Sequence, residues 1–419
     1  MNERVNNMLQ NFDQLLGKYA DLLIHKGLNI QTGDYVQIGA DIEIAPLVRK
    51  LTESAYKAGA KEVIVKWVDD TITRLDYEFM DQEDLATVPQ YKIDEAQDLL
   101  NKRAKRLALR SANPNNLTGI DSKKISAVNL SHSKSLEFVR NATQANVVSW
   151  LVAAGAGAEW AKLVFPNLET SEEQVDALWD QIFKTTRVYE EDPIKAWDQH
   201  EATLLEKANF LNDSQFDALH YTGPGTDLTI GLPENHLWES AGSHNQNGEI
   251  FIANMPTEEV FTAPDFRRAD GYVSSSKPLA YSGNVIDGMK FTFKNGEIIE
   301  VTAEKGQETI QNLVFDNEGS KSLGEVALVP HHSPISQSQI TFFNTLFDEN
   351  ASNHIAIGQA YATSVQGGTE MSAEELKAVG LNRSNVHVDF MIGNEHMNID
   401  GIKKDGSIVP IFRNGEWAI

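Results

Sequence analysis

One stretch near the amino terminus decides the fold: residues 35–68 read YVQIGADIEIAPLVRKLTESAYKAGAKEVIVKWV. Its first four residues alternate like a strand, residues 44–58 have a helical pattern that closes at Gly59, and residues 62–68 form an apolar, β-branched run. Strand, helix and strand in this order are typical of a parallel sheet covered by helices. The pattern continues in strands predicted over residues 125–130 and 147–152 and in helices predicted over residues 135–141 and 171–186. The amino-terminal part is therefore predicted to be an α/β layered domain with a parallel sheet.

The sequence pattern of the chain changes at residues 211–223. Beyond them the strand patterns are shorter, Gly and Asn are more frequent, and Asn295-Gly296 is typical of a type I′ hairpin, because both central positions of that turn need positive φ. At 419 residues the chain also exceeds the usual size of a single core. We therefore predict two domains, an α/β domain over residues 1–215 and a mixed α+β domain over residues 216–419.

The charge of the chain argues against nucleic acid and anionic membranes as partners. It has 36 basic and 60 acidic residues, a formal net charge of -24, which repels phosphate groups. Its densest basic cluster, residues 102–106 with Arg110, lies in a Leu- and Ala-rich stretch that is interpreted as a solvated helix face. No segment approaches about 18 consecutive apolar residues, and the residues after Met1 do not resemble a leader. A soluble, cytoplasmic protein is expected.

The absence of cysteine excludes thiol chemistry and thiolate metal sites, so any metal must be held by nitrogen and oxygen. The glycine-rich residues 154–158 and 223–225 lack the further residues of a nucleotide-binding motif, and Ser243 and Ser333 lack a nucleophile elbow. The adjacent His331 and His332 are predicted to face apart, as neighbours on an extended chain do, and are interpreted as loop or packing residues rather than metal ligands. These motifs predict turns and loops rather than sites.

Four apolar, strand-like segments in the last third of the chain each contain acid or imidazole side chains. These side chains are Glu259, Glu325, His354 and the pair His387 and Asp389. In the run of residues 386–392 the two members of the pair are separated by one residue, so they point to the same face of a strand. Burying any one of these charges without a partner would destabilise the fold. A shared metal centre would account for all of them, although each residue taken singly could instead be a satisfied polar group of the core.

Charge balance favours two divalent ions over one. Three carboxylates and a bridging hydroxide match two divalent ions, while two neutral imidazoles complete their coordination. Two ions about 3.5 to 4 Å apart can share a carboxylate, generate hydroxide near neutral pH and polarise a carbonyl group. Zinc, cobalt and manganese all suit such ligands. A single ion with spare carboxylates is the alternative.

Several of these stretches resemble the aminopeptidase T, AmpS and PepS family of cocatalytic metallo-aminopeptidases, especially its PepS and AmpS branch. The similarity extends over nearly the whole chain and is carried by residues 254–264, 323–325, 333–336, 343–354 and 387–393. The resemblance implies that Glu259, Glu325, His354, His387 and Asp389 bind the two ions, with Glu325 as the bridge. It also implies a homodimer with an enclosed site that removes the amino-terminal residue from peptides.

By the same resemblance Tyr361 would stand beside the metals, where its phenol can hydrogen-bond the reacting oxygen. Glu258 is a candidate general base, but consecutive strand residues face apart, so it needs an irregular backbone to approach the same water as Glu259. Otherwise Glu258 would be a surface acid. The competing functions are another two-metal amide or ester hydrolase and a non-catalytic metal-binding protein.

Overall fold

The computed structural model describes residues 2–281 and 284–419. The chain divides into two compact units, one formed by Met1–Gln199 with Gly242–Pro256 and the other by His200–Ala241 with Thr257–Ile419. The domain border that the sequence predicts at residue 215 stays a prediction. No helix of the described part has the length and apolar character needed to cross a membrane.

The strands of the described residues are β1 Tyr35–Asp41, β2 Glu62–Val68, β3 Lys105–Arg110, β4 Trp150–Ala154, β5 Ala218–Gly223, β6 Thr226–Gly231, β7 Gly242–His244, β8 Ile250–Ile252, β9 Val260–Thr262, β10 Ala269–Ser274, β11 Leu279–Tyr281, β12 Asn284–Ile286, β13 Lys290–Lys294, β14 Glu297–Thr302, β15 Leu323–Leu328, β16 His354–Gly358, β17 His387–Met391, β18 Asn398–Ile402, β19 Ile408–Arg413 and β20 Glu416–Trp417.

The α-helices of the same residues are α1 Asn2–Asp21, α2 Ala45–Lys57, α3 Asp70–Phe79, α4 Gln82–Ala86, α5 Gln90–Asn101, α6 Ser122–Ser135, α7 Glu137–Gln144, α8 Ala158–Val164, α9 Ser171–Thr185, α10 Pro193–Ser214, α11 Gln307–Asp316, α12 Pro334–Ser338, α13 Thr345–Asp348 and α14 Ala373–Ala378. The π-helical segment Leu22–Gly27 and short 3-10 turns, among them Ile42–Ile44, Glu349–Ala351 and Ala362–Ser364, complete the regular structure of the described residues.

The first unit contains the predicted parallel sheet, with strand order β2-β1-β3-β4. The helix predicted over residues 44–58 is α2, and Pro46 in its first turn suits a position whose N–H has no partner within the helix. The aromatic core beside the sheet stacks Trp179 on Phe183 with ring centroids 5.3 Å apart, and the buried Tyr19 donates its hydroxyl to Ala154 O at 3.0 Å. The predicted α/β layering is confirmed.

Three predicted elements of this unit need correction. Residues 125–130 are helical within α6, because Asp121 caps its first turn and the buried Val128 follows Ile125 at helical spacing. The strand predicted over residues 147–152 is β4, which begins later, at Trp150. The basic cluster is not on a helix face, because it enters β3, where Lys105 is only 3% exposed.

Lys105 is buried because it has acid partners. Its Nζ lies 2.8 Å from Asp34 Oδ2 and 3.2 Å from Glu249 Oε2, and it donates to Asn29 O at 2.7 Å. Burying an ammonium group without such partners would be unfavourable. The cluster is therefore in part an internal ion-pair site of the first unit.

The second unit is built on two antiparallel sheets. The larger has the order β14-β13-β10-β6-β5-β18-β19-β20, and the smaller has the order β17-β16-β15-β9. The predicted hairpin joins β13 to β14, with φ of 50° at Asn295 and 84° at Gly296. Phe291 of β13 stacks on Phe390 of β17 with ring centroids 4.3 Å apart, so one face of the smaller sheet is buried at that contact. The candidate site lies on the opposite face.

Candidate metal centre

Strand β17 carries His387 and Asp389 on one of its faces. Side chains alternate along a strand, so Val388 and Phe390 point to the other face, where Phe390 is fully buried. His387 Nε2 lies 3.5 Å from Asp389 Oδ1. The alternation predicted for this segment is confirmed.

The register of the sheet brings Glu325 and His354 to the same face. Glu325 of β15 is opposite Ala356, and Ala356 is opposite Asp389. Residues directly opposite in an antiparallel pair point to the same side. His354 is opposite Ala327, which lies two positions from Glu325 and therefore shares its face. Three neighbouring strands thus direct acid and imidazole groups to one place.

The chain is irregular over residues 257–259, immediately before β9. Glu259 and Glu258 are both buried there, at 7% and 3% exposure, so the alternative that Glu258 is a surface acid is wrong. The backbone N–H of Glu258 donates to Asn350 Oδ1 at 2.7 Å, and Glu258 Oε2 lies 3.5 Å from His200 Nε2. The irregular backbone that a general base at Glu258 requires is present, whereas the role itself stays a prediction.

The five predicted ligands form two groups that share one member. Glu259, Glu325 and His354 bring one atom each within 4.8 Å of one another, and so do Glu325, His387 and Asp389. Glu325 Oε1 lies 3.6 Å from His354 Nε2, and Glu325 Oε2 lies 3.7 Å from His387 Nε2. One carboxylate therefore faces both groups.

Both histidines are oriented by backbone carbonyl groups. His354 Nδ1 contacts Ser352 O at 3.1 Å, and His387 Nδ1 contacts Gln359 O at 2.7 Å. A carbonyl oxygen only accepts, so Nδ1 is the donor in each case, and Nε2 remains as the nitrogen that faces the carboxylates. Histidines that bind metals are commonly held in this way by their second ring nitrogen.

Two buried carboxylate oxygens of the cluster, Glu259 Oε2 and Asp389 Oδ1, accept no hydrogen bond of good geometry from the described residues. Glu259 Oε2 lies 3.1 Å from His354 Nε2, which is a contact between ligand atoms rather than an aligned hydrogen bond. Such N to O separations suit atoms that surround one ion with bonds of about 2.0–2.2 Å. The donor set, its burial and its unsatisfied oxygens therefore fit divalent cations.

Without metal, the acids of the cluster repel one another and are attracted to two imidazoles. Burial raises the pKa of Glu325 to about 7, and repulsion from Asp389 and Glu259 acts in the same direction. Burial opposes the charged form of His387, but attraction to Asp389 raises the pKa of His387 to about 10. The contacts of His354 with Glu259 and Glu325 likewise overcome burial and raise the pKa of His354 well above its usual range. Metal ions bound to these two rings would therefore have to displace protons from them near neutral pH.

Glu349 is a further acid of this cluster that the sequence patterns did not single out. It lies in the 3-10 turn Glu349–Ala351, and burial followed by repulsion from Asp389 and Glu259 raises its pKa well above the usual range. It also lines the same small cavity as Asp389. The only local signal for Glu349 is its position five residues before His354, which no regular periodicity explains.

Tyr361 lies beside the cluster, as the family resemblance implies. Its ring centroid is 5.2 Å from that of His387 and 6.4 Å from that of Phe261, and the residue is 37% exposed. Desolvation of the hydroxyl, followed by repulsion from Glu325 and Asp389, raises the pKa of Tyr361. The phenol therefore keeps its proton at physiological pH and can donate a hydrogen bond.

His331 and His332 belong to neither group of candidate ligands. They come after β15 in a turn, where His331 Nε2 lies 3.8 Å from Glu395 Oε2 and His332 contacts Glu416. Their ring centroids are 6.4 Å apart. Their interpretation as loop residues is confirmed.

Comparison with known proteins gives a consistent result. The family model described as thermophilic metalloprotease (M29) matches residues 12–417. Aminopeptidase PepS of Streptococcus thermophilus is 59% identical over 98% of this chain and 100% of its own, and aminopeptidase AmpS of Bacillus subtilis (strain 168) is 49% identical over the same shares. The solved structure of wild-type AmpT from Thermus thermophilus matches with a TM-score of 0.92 at 39% identity, covering 97% of this chain and 100% of that chain.

The family model and the two named aminopeptidases match nearly the whole chain, and the solved relative has the same fold. The protein is therefore an enzyme and a hydrolase. The chain belongs to the M29 family of metalloproteases.

Proposed function

We propose that this metallo-aminopeptidase removes the amino-terminal residue of peptides with two divalent ions held by Glu259, Glu325, His354, His387 and Asp389. The observation that carries the proposal is the sharing of Glu325 between the two groups of ligand atoms. The names of the relatives support the activity. Zinc, cobalt and manganese all suit the donor set.

Bound metal would supply a bridging hydroxide near neutral pH and would polarise the carbonyl of the scissile peptide bond. The chain itself supplies a hydrogen-bond donor, because the phenol of Tyr361 keeps its proton and stands next to His387. In the proposed reaction this donor stabilises the charge that develops on the carbonyl oxygen. Glu258 is the proposed proton acceptor, since the irregular backbone before β9 frees it from the alternation of a strand.

The negative charge of the cluster suits a substrate with a free ammonium group. Glu349 adds a fourth carboxylate to those of Glu259, Glu325 and Asp389 and is electrostatically coupled to each of them. After two divalent ions have bound, an additional acid can still attract an amino terminus or anchor a ligand water. The proposed substrates are therefore peptides with an unblocked amino terminus.

Metal analysis combined with a substrate panel tests this function. Protein purified without chelator is expected to contain about two divalent ions per chain. Chelation should abolish release of p-nitroaniline from amino-acyl anilides, and add-back of zinc, cobalt or manganese should restore it. One ion per chain with full activity would overturn the two-metal arrangement.

The same panel separates the competing functions. Hydrolysis of a phosphate ester without release from any anilide would indicate another two-metal hydrolase, and anilides blocked at the amino group should not react with an aminopeptidase. Glu325→Gln should abolish turnover in a folded protein. If the site were only structural, the variant would instead lose its fold.

The cytoplasmic location and the homodimer are retained as proposals. Cell fractionation tests the location, and light scattering of the metal-loaded protein tests the assembly. A monomer at micromolar concentration with full activity would contradict the proposed dimer.

A further inference from the structure

The peptide group that joins Thr257 to Glu258 lies just before β9, where the backbone is irregular. Both residues are buried, each with 3% of its surface exposed. A buried peptide group needs a partner for its carbonyl and another for its N–H, because water cannot supply them. The strand pairing of β9 begins only at Val260. This peptide group therefore depends on contacts outside the sheet.

The carbonyl of this peptide group accepts a hydrogen bond from the imidazole of His200, a residue of α10. His200 Nε2 lies 2.8 Å from Thr257 O. A carbonyl oxygen only accepts, so Nε2 carries the hydrogen and donates it. The side chain of His200 is 12% exposed, and the same nitrogen lies 3.5 Å from Glu258 Oε2. The imidazole therefore contacts the backbone and also faces the side chain that follows it.

The N–H of the same peptide group is bound by the side chain of Asn350. Glu258 N–H donates to Asn350 Oδ1 at 2.7 Å. Asn350 is fully buried, and its Nδ2 donates to Leu346 O at 3.3 Å, so the orientation of its amide is fixed. Its backbone carbonyl accepts from the hydroxyl of Ser333 at 3.1 Å. Asn350 is thus a firmly held support for the peptide group.

Together the two contacts fix the plane of the peptide group. A trans peptide group is planar, and its carbonyl and N–H point in opposite directions, so partners at both ends oppose its rotation. Such a rotation would change ψ of Thr257 and φ of Glu258, which set the path of the chain into Glu259. In a regular strand Glu258 and Glu259 would face apart, whereas here both are buried. Two side chains from distant parts of the sequence therefore maintain the conformation that buries both acids.

We propose that His200 and Asn350 are positioning residues that clamp this peptide group and thereby direct Glu258 and Glu259 towards the metal centre. The inference rests on the proposed two-metal function. Of the two groups of candidate ligands, the one that contains Glu259 takes a member from the clamped segment, and the one that contains Asp389 does not. Loss of the clamp should therefore weaken the binding of one ion and spare the other.

An NMR experiment on the metal-free protein tests the clamp without using turnover. Cell-free synthesis with ¹³C-carbonyl threonine and ¹⁵N-glutamate labels directly bonded pairs only in Thr–Glu peptide groups, and the sequence has three of them, at residues 52–53, 257–258 and 369–370. In Asn350→Ala the amide hydrogen of Glu258 should exchange with solvent at least about tenfold faster than in wild type. In His200→Leu the carbonyl resonance of Thr257 should shift. The other two Thr–Glu signals should stay as in wild type and so report an intact fold.

A conservative variant separates the hydrogen bond of His200 from the bulk of its ring. His200→Gln retains an N–H donor and should therefore restore the wild-type carbonyl resonance of Thr257. A resonance equal to that of His200→Leu would reject the hydrogen bond as the cause of the shift. Wild-type signals at residues 257–258 in both His200→Leu and Asn350→Ala would overturn the clamp.

Asn212→Ala is the matched control. Asn212 lies on α10, as His200 does, and it also binds backbone groups: its Oδ1 accepts from Trp238 N–H at 2.7 Å and its Nδ2 donates to Trp238 O at 3.0 Å. Its loss should leave the signal of residues 257–258 and the affinity for both ions unchanged. An effect as large as that of His200→Leu would mean that any loosening of α10 suffices, and the specific role of His200 would be rejected.

Metal affinity then separates positioning from mere contact. Competition between the protein and a chelator for zinc should show two binding steps in wild type, and His200→Leu and Asn350→Ala should each weaken one step about tenfold and leave the other unchanged. The double variant should be weakened little further, because both residues act on one peptide group. Equal weakening of both steps, or of neither, would overturn the positioning role. If wild type bound fewer than two ions, the proposed function would fail, while the NMR signals would still decide whether the clamp exists.

Discussion

Glu325→Gln is the most informative single change, because Glu325 is the residue that both groups of candidate ligands share. Glutamine keeps the shape but removes the charge and one ligand oxygen. The variant should retain less than one ion per chain after dialysis, and kcat should fall at least about 10³-fold, since loss of the metals removes both hydroxide formation and carbonyl polarisation. The fold should remain.

The same change should stabilise the metal-free protein at alkaline pH. Burial raises the pKa of Glu325 from 4.5 to about 7, so its contribution to stability is complete below pH 4.5 and is lost as the pH rises through 7. At about 1.4 kcal/mol per pKa unit, ionised Glu325 costs the folded state about 3 kcal/mol at pH 8. Glutamine also weakens the attraction that keeps His354 and His387 protonated, so the expected net gain is about 1 to 3 kcal/mol.

Metal analysis, anilide hydrolysis and thermal unfolding with chelator at pH 5 and pH 8 measure the three effects. Glu239→Gln is the matched control, since Glu239 forms an antiparallel bridge with Phe261 of β9 but belongs to neither ligand group. It should keep its metal. Full metal occupancy and activity in Glu325→Gln would refute the shared-ligand argument, and a metal-free Tm below that of wild type at pH 8 would refute the electrostatic reasoning.

Four further outcomes are expected. Zinc added to the metal-free protein at pH 7 should release protons, because the pKa of His387 is about 10 and that of His354 is also raised. Calorimetry in buffers of different ionisation enthalpy measures this release, and a result of no release would contradict the prediction. Glu349→Gln should weaken metal binding about tenfold in chelator competition, and unchanged affinity would remove Glu349 from the centre. Tyr361→Phe should lower kcat about 10- to 100-fold at constant metal content, and an equal rise in KM instead would indicate a binding role. Glu258→Gln should lower kcat about 10²-fold without loss of metal, whereas wild-type kcat would exclude a general base there.

Local patterns predicted the fold wherever the hydrogen bonds of an element depend on neighbouring residues. The helix of residues 44–58 and the hairpin at Asn295 are of this kind. The basic cluster after α5 was interpreted wrongly, because the helix ends where Arg103 adopts a φ of 55°. A non-glycine residue in this conformation has no clear local signal. Residues 105–110 then form a strand because β1 and β4 flank them, and those partners are distant in sequence.

In the site too, features that depend on neighbouring residues were predicted, and features that depend on distant residues were not. Alternation within one strand predicted that His387 and Asp389 point together. The meeting of Glu325 with both histidines depends instead on the register of three strands, which includes an irregularity between Leu323 and Glu325. The sequence patterns did not predict Glu349, because it lies in a short 3-10 turn, where side chains have no regular periodicity. Sequence can thus tell which way a side chain faces, but tertiary pairing decides which side chains meet.

The energetics of burial explain why the site could nevertheless be recognised from sequence. An acid in an apolar strand is costly, and a fold tolerates several of them only when they share a compensating partner. Here four carboxylates, those of Glu259, Glu325, Glu349 and Asp389, interact within one buried cluster, whereas two imidazoles face them. Two protonated histidines balance only two of these four carboxylates, so the other two acids must take up protons, whereas two divalent ions balance all four. The excess of buried acid over base is therefore itself an argument for metal, and it is independent of the family to which the chain belongs.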